Sequence, residues 1–415
     1  MRVCLIYDCL FPHTVGGAER WYRDLAERLA ADGHEVSYLT LRQWDRGERP
    51  QLDARVRVLS AGPRMALYTR GGRRRILPPL VFGVGVFAHL LRHGRRYEAV
   101  HTCSFPYFSL LAAGLLRPLR GYELVVDWFE VWSRSYWLGY LGGARGRAGW
   151  FVQRLCARVP QRAFCFSQLH AARLREEGLR GPVTVLRGLY AGAGEGAATL
   201  EAEPATQAAG RALDGAAPAI GAAPEADPAT VEAEPVVVFA GRLIPEKQVT
   251  LAVAAMAIAR ARIAGLRGEF LGDGPERDAL GRAIAAHGLQ EIVSAPGFVQ
   301  SEVLDAEMRR ALCMLLTSRR EGYGLVVVEA AARGTPSVVV AGEDNAATEL
   351  IEEGVNGTIA PRADPDSVAE AIVRVHAAGM ALRESTARWF ARNARRLSLE
   401  SSLDAVLESY SSARS

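Results

Sequence analysis

Four clusters of residues have the types and spacing to do chemistry. The densest is Ser318–Val340, SRREGYGLVVVEAAARGTPSVVV, where Glu321 and Glu329 stand eight residues apart with Gly322, Tyr323 and Gly324 between them. Glycines there make a loop whose amides can face a ligand. Glu329 falls inside an otherwise apolar run, Leu325–Ala332. A carboxylate so placed is costly to bury unless it meets a donor, and either vicinal ribose hydroxyls or a protein group would serve. The second cluster is Phe239–Gln248, FAGRLIPEKQ, an apolar run that ends at Gly241 and Arg242 with Lys247 five residues on. Two cations above a strand end suit a diphosphate, and they would stabilise a leaving nucleoside diphosphate as its charge develops. Of the 50 basic residues only Lys247 is a lysine. A compact ammonium stands where the rest of the chain uses the guanidinium fork.

The third cluster is Val15–Trp21, VGGAERW. Gly16 and Gly17 precede a helix start, where free amides attract anions, but the full G-x-G-x-x-G fingerprint is missing. The fourth, Phe270–Leu280, FLGDGPERDAL, reads mainly as a strand–turn–helix corner.

The elements that must carry these clusters alternate. In residues 1–190, strands are read at Val3–Tyr7, Glu35–Leu41, Val56–Leu59, Ala99–Thr102, Leu124–Asp127, Ala163–Ser167 and Val183–Leu186, with helical stretches between most of them. In residues 236–385, strands are read at Val236–Ala240, Glu269–Leu271, Cys313–Thr317, Ser337–Val340 and Thr358–Ile359. Helices are read at Gln248–Arg262, Pro275–His287 and Leu325–Arg333. Such alternation implies α/β halves with parallel sheets, which bind ligands at the carboxyl ends of their strands. Residues 191–235 are Ala, Gly, Pro and Glu with few large apolar side chains, the composition of a flexible linker. After Asp364 the chain reads as helical, with 386–415 set apart as C-terminal helices.

Composition narrows the class further. The chain has 415 residues, is 49% hydrophobic and 23% charged, which excludes collagen, a disulfide scaffold and a wholly disordered chain. None of the six cysteines forms a C-x-x-C pair and no Cys/His group has ligand spacing, so free thiols and no metal site are expected. The start, MRVCLIYDCL, lacks the pattern of a cleavable secretion signal, and a cytoplasmic location is expected. Residues 1–190 carry 29 Arg against 15 acidic side chains, whereas 191–415 carry 21 basic and 31 acidic ones. The basic half invites an anionic partner, but no nucleic-acid motif accompanies it. Within that half, the apolar run Ile76–Leu91 is bracketed by Arg73–Arg75 and by Arg92, Arg95 and Arg96. It is too short to span a membrane. Two arrangements fit it: a buried helix with polar ends, or a segment lying peripherally on an anionic bilayer.

The motifs GGAER, GR-x3-EK, G-DGP and the Glu-x7-Glu of EGYGLVVVE together resemble the family-4 glycosyltransferases, retaining enzymes of the GT-B fold. The resemblance spans the chain apart from the linker. It implies two doubly wound Rossmann-like domains facing a central cleft, a nucleotide-sugar donor on the second and an acceptor on the first. The acceptor class is a glycan, a lipid-linked sugar or a small molecule. No cofactor and no metal are implied, and a C-terminal helix is implied to cross back to the first domain. Residue by residue, Glu329 would bind the ribose hydroxyls, and Arg242 and Lys247, with Gly241, would hold the diphosphate. Glu321, with Gly322, Tyr323, Gly324 and Leu325, would position the sugar. Gly16 and Gly17 would approach from the other side. One departure stands out: where many relatives carry a histidine, this chain has Phe129, which can neither donate a hydrogen bond nor shuttle a proton. Glu130, Asp127 and His101 are the acceptor-side candidates for that polar role. The alternatives to a transferase are a GT-B epimerase or phosphorylase and an impaired sugar-nucleotide-binding protein.

Overall fold

The computed structural model describes residues 1–14, 16–45, 47–48, 50, 52–67, 75–192 and 235–412. Nearly all of the stretch read as a linker, together with Val15, Arg73 and Arg74, lies outside the described residues.

Two parallel sheets dominate. The first contains β1 (Arg2–Ile6), β2 (Glu35–Leu41), β3 (Val56–Gly62), β4 (Ala99–Cys103), β5 (Glu123–Trp128), β6 (Arg162–Cys165) and β7 (Val183–Val185), in the order β3-β2-β1-β4-β5-β6-β7. Its helices are α1 (Gly17–Ala31), α2 (Leu77–His93), α3 (Tyr107–Arg120), α4 (Arg134–Leu141), α5 (Gly143–Ala157) and α6 (Gln168–Glu176). The second sheet runs β10-β9-β8-β11-β13-β15. Its strands are β8 (Val236–Ala240), β9 (Arg267–Leu271), β10 (Val293–Gly297), β11 (Cys313–Leu316), β13 (Ser337–Val340) and β15 (Gly357–Ala360). A separate two-stranded ladder joins β12 (Arg320–Glu321) to β14 (Asp344–Asn345). The accompanying helices are α7 (Val249–Ala259), α8 (Arg277–Ala286), α9 (Ser301–Arg310) and α10 (Leu325–Ala331), and then α11 (Pro365–Leu397) and α12 (Leu399–Ser412).

The central strands are buried on both faces and mostly apolar; all five residues of β8, VVVFA, are buried. In both sheets the strand order reverses beside the first strand, at β1/β4 and at β8/β11. The carboxyl ends at those points open the crevices where open α/β sheets take ligands.

The second half holds elements that escape a reading of the sequence: the short ladder strands β12 and β14, and β10 and α9. β10 is an edge strand with alternating burial that contains Pro296. Proline is tolerated only at such an edge, and in sequence it reads as a turn. The end of the chain runs back to the first domain. α11 breaks at Gly379 (φ 55°, ψ −143°), a backbone region open to glycine. Beyond the break, Tyr190 N donates to Leu397 O at 3.0 Å and Leu399 N donates to Tyr190 O at 2.9 Å. α12 then lies on α1, with Arg28 reaching Asp404 at 2.7 Å.

Candidate functional site

The carboxyl ends of β8, β11 and β13 are sewn into one platform. Past β8 the chain turns at Gly241 and reaches a short 3₁₀ turn, Pro245–Lys247. Thr317 Oγ1, just past β11, donates to Lys247 O at 2.8 Å, and Arg319 N donates to Glu246 O at 2.8 Å. Asn345 Nδ2, past β13, donates to Ser318 O at 3.0 Å and to Val340 O at 2.8 Å. On this platform Lys247 Nζ and Glu321 Oε1 form an ion pair, with both side chains more than four-fifths buried. Two clusters 74 residues apart in sequence therefore meet in one site.

The other residues singled out from sequence fall around that pair. Gly241 has φ +153° and faces the Lys247 stem. Arg242 is exposed and has no side-chain ion pair or hydrogen bond to the described residues. Gly324 (φ +92°) caps α10, which begins at Leu325. Glu329 is buried on α10 at 5% exposure, and Arg333, one turn on, donates through Nη1 to Glu329 O at 2.6 Å. The GDGP cluster is the corner it resembled: Leu243 N donates to Asp273 O at 2.8 Å, and Glu276 N donates to Leu243 O at 2.9 Å.

The first domain presses directly on this platform. A Cβ at Gly322 would sit 2.7 Å from Phe129 O. Tyr323 OH donates to Arg187 O at 2.6 Å. Gly322 and the Tyr323 side chain, read from sequence as donor contacts, thus also touch the first domain. The Phe129 ring stacks on Phe166, centroids 4.6 Å apart. Glu130 pairs with Arg320 and accepts from Trp132 Nε1 at 2.7 Å. Gly16 caps α1 at the carboxyl edge of the first sheet, Gly17 is the first residue of the helix, and the Glu19 carboxylate lies against Gly16.

His101 and Asp127 require correction. Both are wholly buried, so neither can touch an acceptor. His101 Nε2 lies 2.9 Å from Asp127 Oδ1, and its Nδ1 lies 2.7 Å from Tyr410 OH. Asp127 Oδ2 accepts from Trp21 Nε1 at 2.7 Å. The group is a core network that fastens α12 to the first sheet, and its apolar surroundings make such partners obligatory.

The histidine that does reach the platform is His170, on α6, and sequence reasoning passed over it. Its Nδ1 accepts from Val131 N at 3.1 Å, which leaves Nε2 to face Glu321 O at 3.4 Å. Burial, and then the Arg173 charge, hold its pKa down at about 4, so it is a neutral hydrogen-bonding group at pH 7. The only sequence signal for it was Ser167 closing a strand read at Ala163–Ser167, since Ser167 Oγ caps α6 by accepting from His170 N.

Carboxylates from the second domain complete the seam. Asp344 accepts from Ser133 N at 2.8 Å, Ser133 Oγ at 2.7 Å and Arg173 Nη1 at 2.5 Å. Glu349 accepts from the first amides of α6, Gln168 N at 2.8 Å and Leu169 N at 2.6 Å, where a helix end favours negative charge. Beside Glu349 the two domains line a half-open cavity of about 370 Å³ bordered by Ser167, Arg187, Tyr323 and Arg396. Among the described residues no cluster of three or more His, Cys, Asp or Glu side chains could hold a metal ion.

Residues 16–188 match the model of the Glycosyl transferase 4-like domain, and residues 225–396 match that of Glycosyl transferases group 1. An exopolysaccharide phosphotransferase of Streptomyces coelicolor is 35% identical over 172 residues, 39% of this chain and 18% of that protein. The alpha-D-kanosaminyltransferase of Streptomyces kanamyceticus is 30% identical over 138 residues, 33% of this chain and 35% of that protein. The chain thus covers only about a fifth to a third of the length of these relatives. Among solved structures, sucrose-phosphate synthase from Thermosynechococcus elongatus superposes with a TM-score of 0.72 at 19% identity, covering 100% of this chain and 99% of that one. Anabaena HepE in complex with UDP-glucose superposes with a TM-score of 0.64 at 17% identity, covering 99% of this chain and 100% of that one. With glycosyl transferase domains matched in both halves and the GT-B fold shared across its length, the chain belongs with the GT-B-type glycosyltransferases.

Proposed function

We propose that the protein transfers a sugar from a nucleoside diphosphate to an acceptor hydroxyl with retention of configuration, as family-4 glycosyltransferases do. The observation that carries this is the Lys247–Glu321 pair at the carboxyl ends of β8 and β11, across from Phe129, Glu130 and His170. A donor diphosphate takes Lys247 over from Glu321, with Arg242 as the second cation. Glu321 is thereby released to accept from the donor sugar, and Glu329 from the ribose. Charge that develops on the leaving diphosphate is met by the Lys247 and Arg242 cations. The departing phosphate takes the acceptor proton on the same face, so no protein base is required and Phe129 is tolerated. Structural neighbours solved with UDP and with UDP-glucose support a nucleotide-sugar donor. The acceptor is a glycan, a lipid-linked sugar or a small molecule.

The test is a panel of UDP-, GDP-, ADP- and dTDP-sugars, read by binding and by nucleotide release. Lys247→Ala lowers kcat/KM by about 10²–10³ on the donor that binds. Lys247→Arg does not restore it, because the fork cannot replace the ammonium in a site closed over by Glu321. Glu329→Ala weakens donor binding by roughly tenfold or more. Variants that match wild type on the donor that binds would sink the assignment.

A second reading, a sugar-nucleotide-binding protein without turnover, rests on Phe129, whose ring is spent on the Phe166 stack. Donor binding without nucleotide release, with release gained in Phe129→His, would favour it.

A further inference from the structure

We propose that the face of the first domain formed by α2, α3 and α5 docks on an anionic lipid bilayer. The three helices lie side by side on one side of the first sheet. A Cβ at Gly83 of α2 would meet Phe108 of α3 at 2.6 Å, and one at Gly94 would meet the Arg120 side chain at 2.9 Å. Cys156 Sγ of α5 lies 3.7 Å from Tyr107 O of α3. The inner side of α2 is buried through Phe82, Val86 and Leu90.

The outward positions are the anomaly. A surface helix normally turns polar residues to solvent. On α2 the outward stripe is Leu77, Leu80, Val84 and Leu91, with Val84 at 71% exposure. On α3 it is Leu115 and Leu119, at 66% and 63%, and on α5 Phe151, at 58%, and Leu155. Large apolar side chains exposed together on three neighbouring helices mark an interaction site.

Charge selects the partner. No Asp or Glu occurs in Leu77–His93, Tyr107–Arg120 or Arg134–Ala157. Exposed arginines flank the stripes instead, Arg75, Arg92 and Arg96 around α2, and Arg145, Arg147 and Arg158 around α5. Two copies brought together on this face would set arginine against arginine with no acid to meet them. A nucleic acid would match the charge and leave the leucines in water. Anionic lipid satisfies both: apolar side chains enter the headgroup–acyl boundary and guanidinium groups reach the phosphates. No helix among the described residues is long and apolar enough to cross a membrane, so the contact is peripheral. This deepens the proposed function on the acceptor side, and it rests on that reading only in presenting the site to a membrane-borne acceptor.

The experiment is co-sedimentation of the full chain, without donor, on phosphatidylcholine vesicles and on vesicles about one-third phosphatidylglycerol. The protein is expected to bind the anionic vesicles, to lose binding as salt rises, and to leave neutral vesicles largely unbound. The double variant Val84→Asp, Leu115→Asp is expected to lower the bound fraction at least about tenfold while its thermal midpoint and donor binding stay at wild type. Equal binding to neutral vesicles, no binding to either, or a double variant that binds like wild type would overturn the proposal. So would a wild-type dimer, by analytical ultracentrifugation, that the double variant abolishes. Donor binding is scored separately, so failure here leaves the transferase reading intact.

Discussion

His170 shows how one side chain can serve the fold and the site together. Its imidazole joins Val131 N to Glu321 O across the two domains, buried and neutral. Because its folded pKa lies at about 4, below the ordinary 6.5, the unfolded chain takes up a proton between those values and the folded chain does not. Stability is therefore fully present above about pH 6.5 and falls as pH drops toward 4. His89, also held at about 4 by burial, adds to the same slope. Chemical denaturation between pH 7.5 and 4.5 should show this loss, and His170→Gln should remove a part of it worth on the order of 2–3 kcal/mol. An unchanged slope in that variant would place His170 outside the linkage.

At the scale of elements, the loop between β12 and α10 works by what it lacks. Gly322 has no side chain, and that is what lets the Phe129 carbonyl and the Glu130 stem come so near. Gly322→Ala would put a methyl 2.7 Å from Phe129 O and 2.9 Å from Glu130 Cγ, closer than packed atoms tolerate. We expect a cost of about 1–3 kcal/mol, with each sheet intact and turnover falling more than donor affinity. Circular dichroism, thermal melting and kcat against KM would check this. The same logic fits α2 onto the sheet, where a Cβ at Gly85 would sit 1.7 Å from Ala61 O. This loop was legible as glycine-rich. That Gly322 serves domain contact was not, because the Phe129 backbone that it approaches lies far away in sequence.

At the scale of the whole molecule, one seam of buried acid–base contacts holds the domains together. Asp344 is its centre, pairing with Arg173 where both side chains are nearly closed to water. Removing one member of such a pair strands the other, at a cost of several kcal/mol. Asp344→Ala should lower the thermal midpoint and raise the radius of gyration in solution scattering. A variant as compact and stable as wild type would show that the seam is held elsewhere. Of the seam, only Phe129, Glu130 and the loop at Glu321–Tyr323 were read from sequence. In the sequence alone, Asp344, Glu349, Ser133 and Arg173 look like polar residues turned to solvent.

What the sequence determined by itself is local and periodic. Apolar runs of strand length bounded by glycine turns specify β2, β8 and β13 to the residue, because a strand buried on both faces admits little else. The lone lysine and the Glu-x7-Glu spacing likewise singled out Lys247 and Glu321, which the fold brings into one ion pair. Tertiary structure decided which polar groups face each other. It buried His101 and Asp127 against Tyr410, 309 and 283 residues away in the chain, brought His170 to Glu321, and set three apolar helix stripes on one face. Those outcomes depend on how sheets and helices pack. Sequence spacing records the period of an element, but not the neighbour that packing assigns to it.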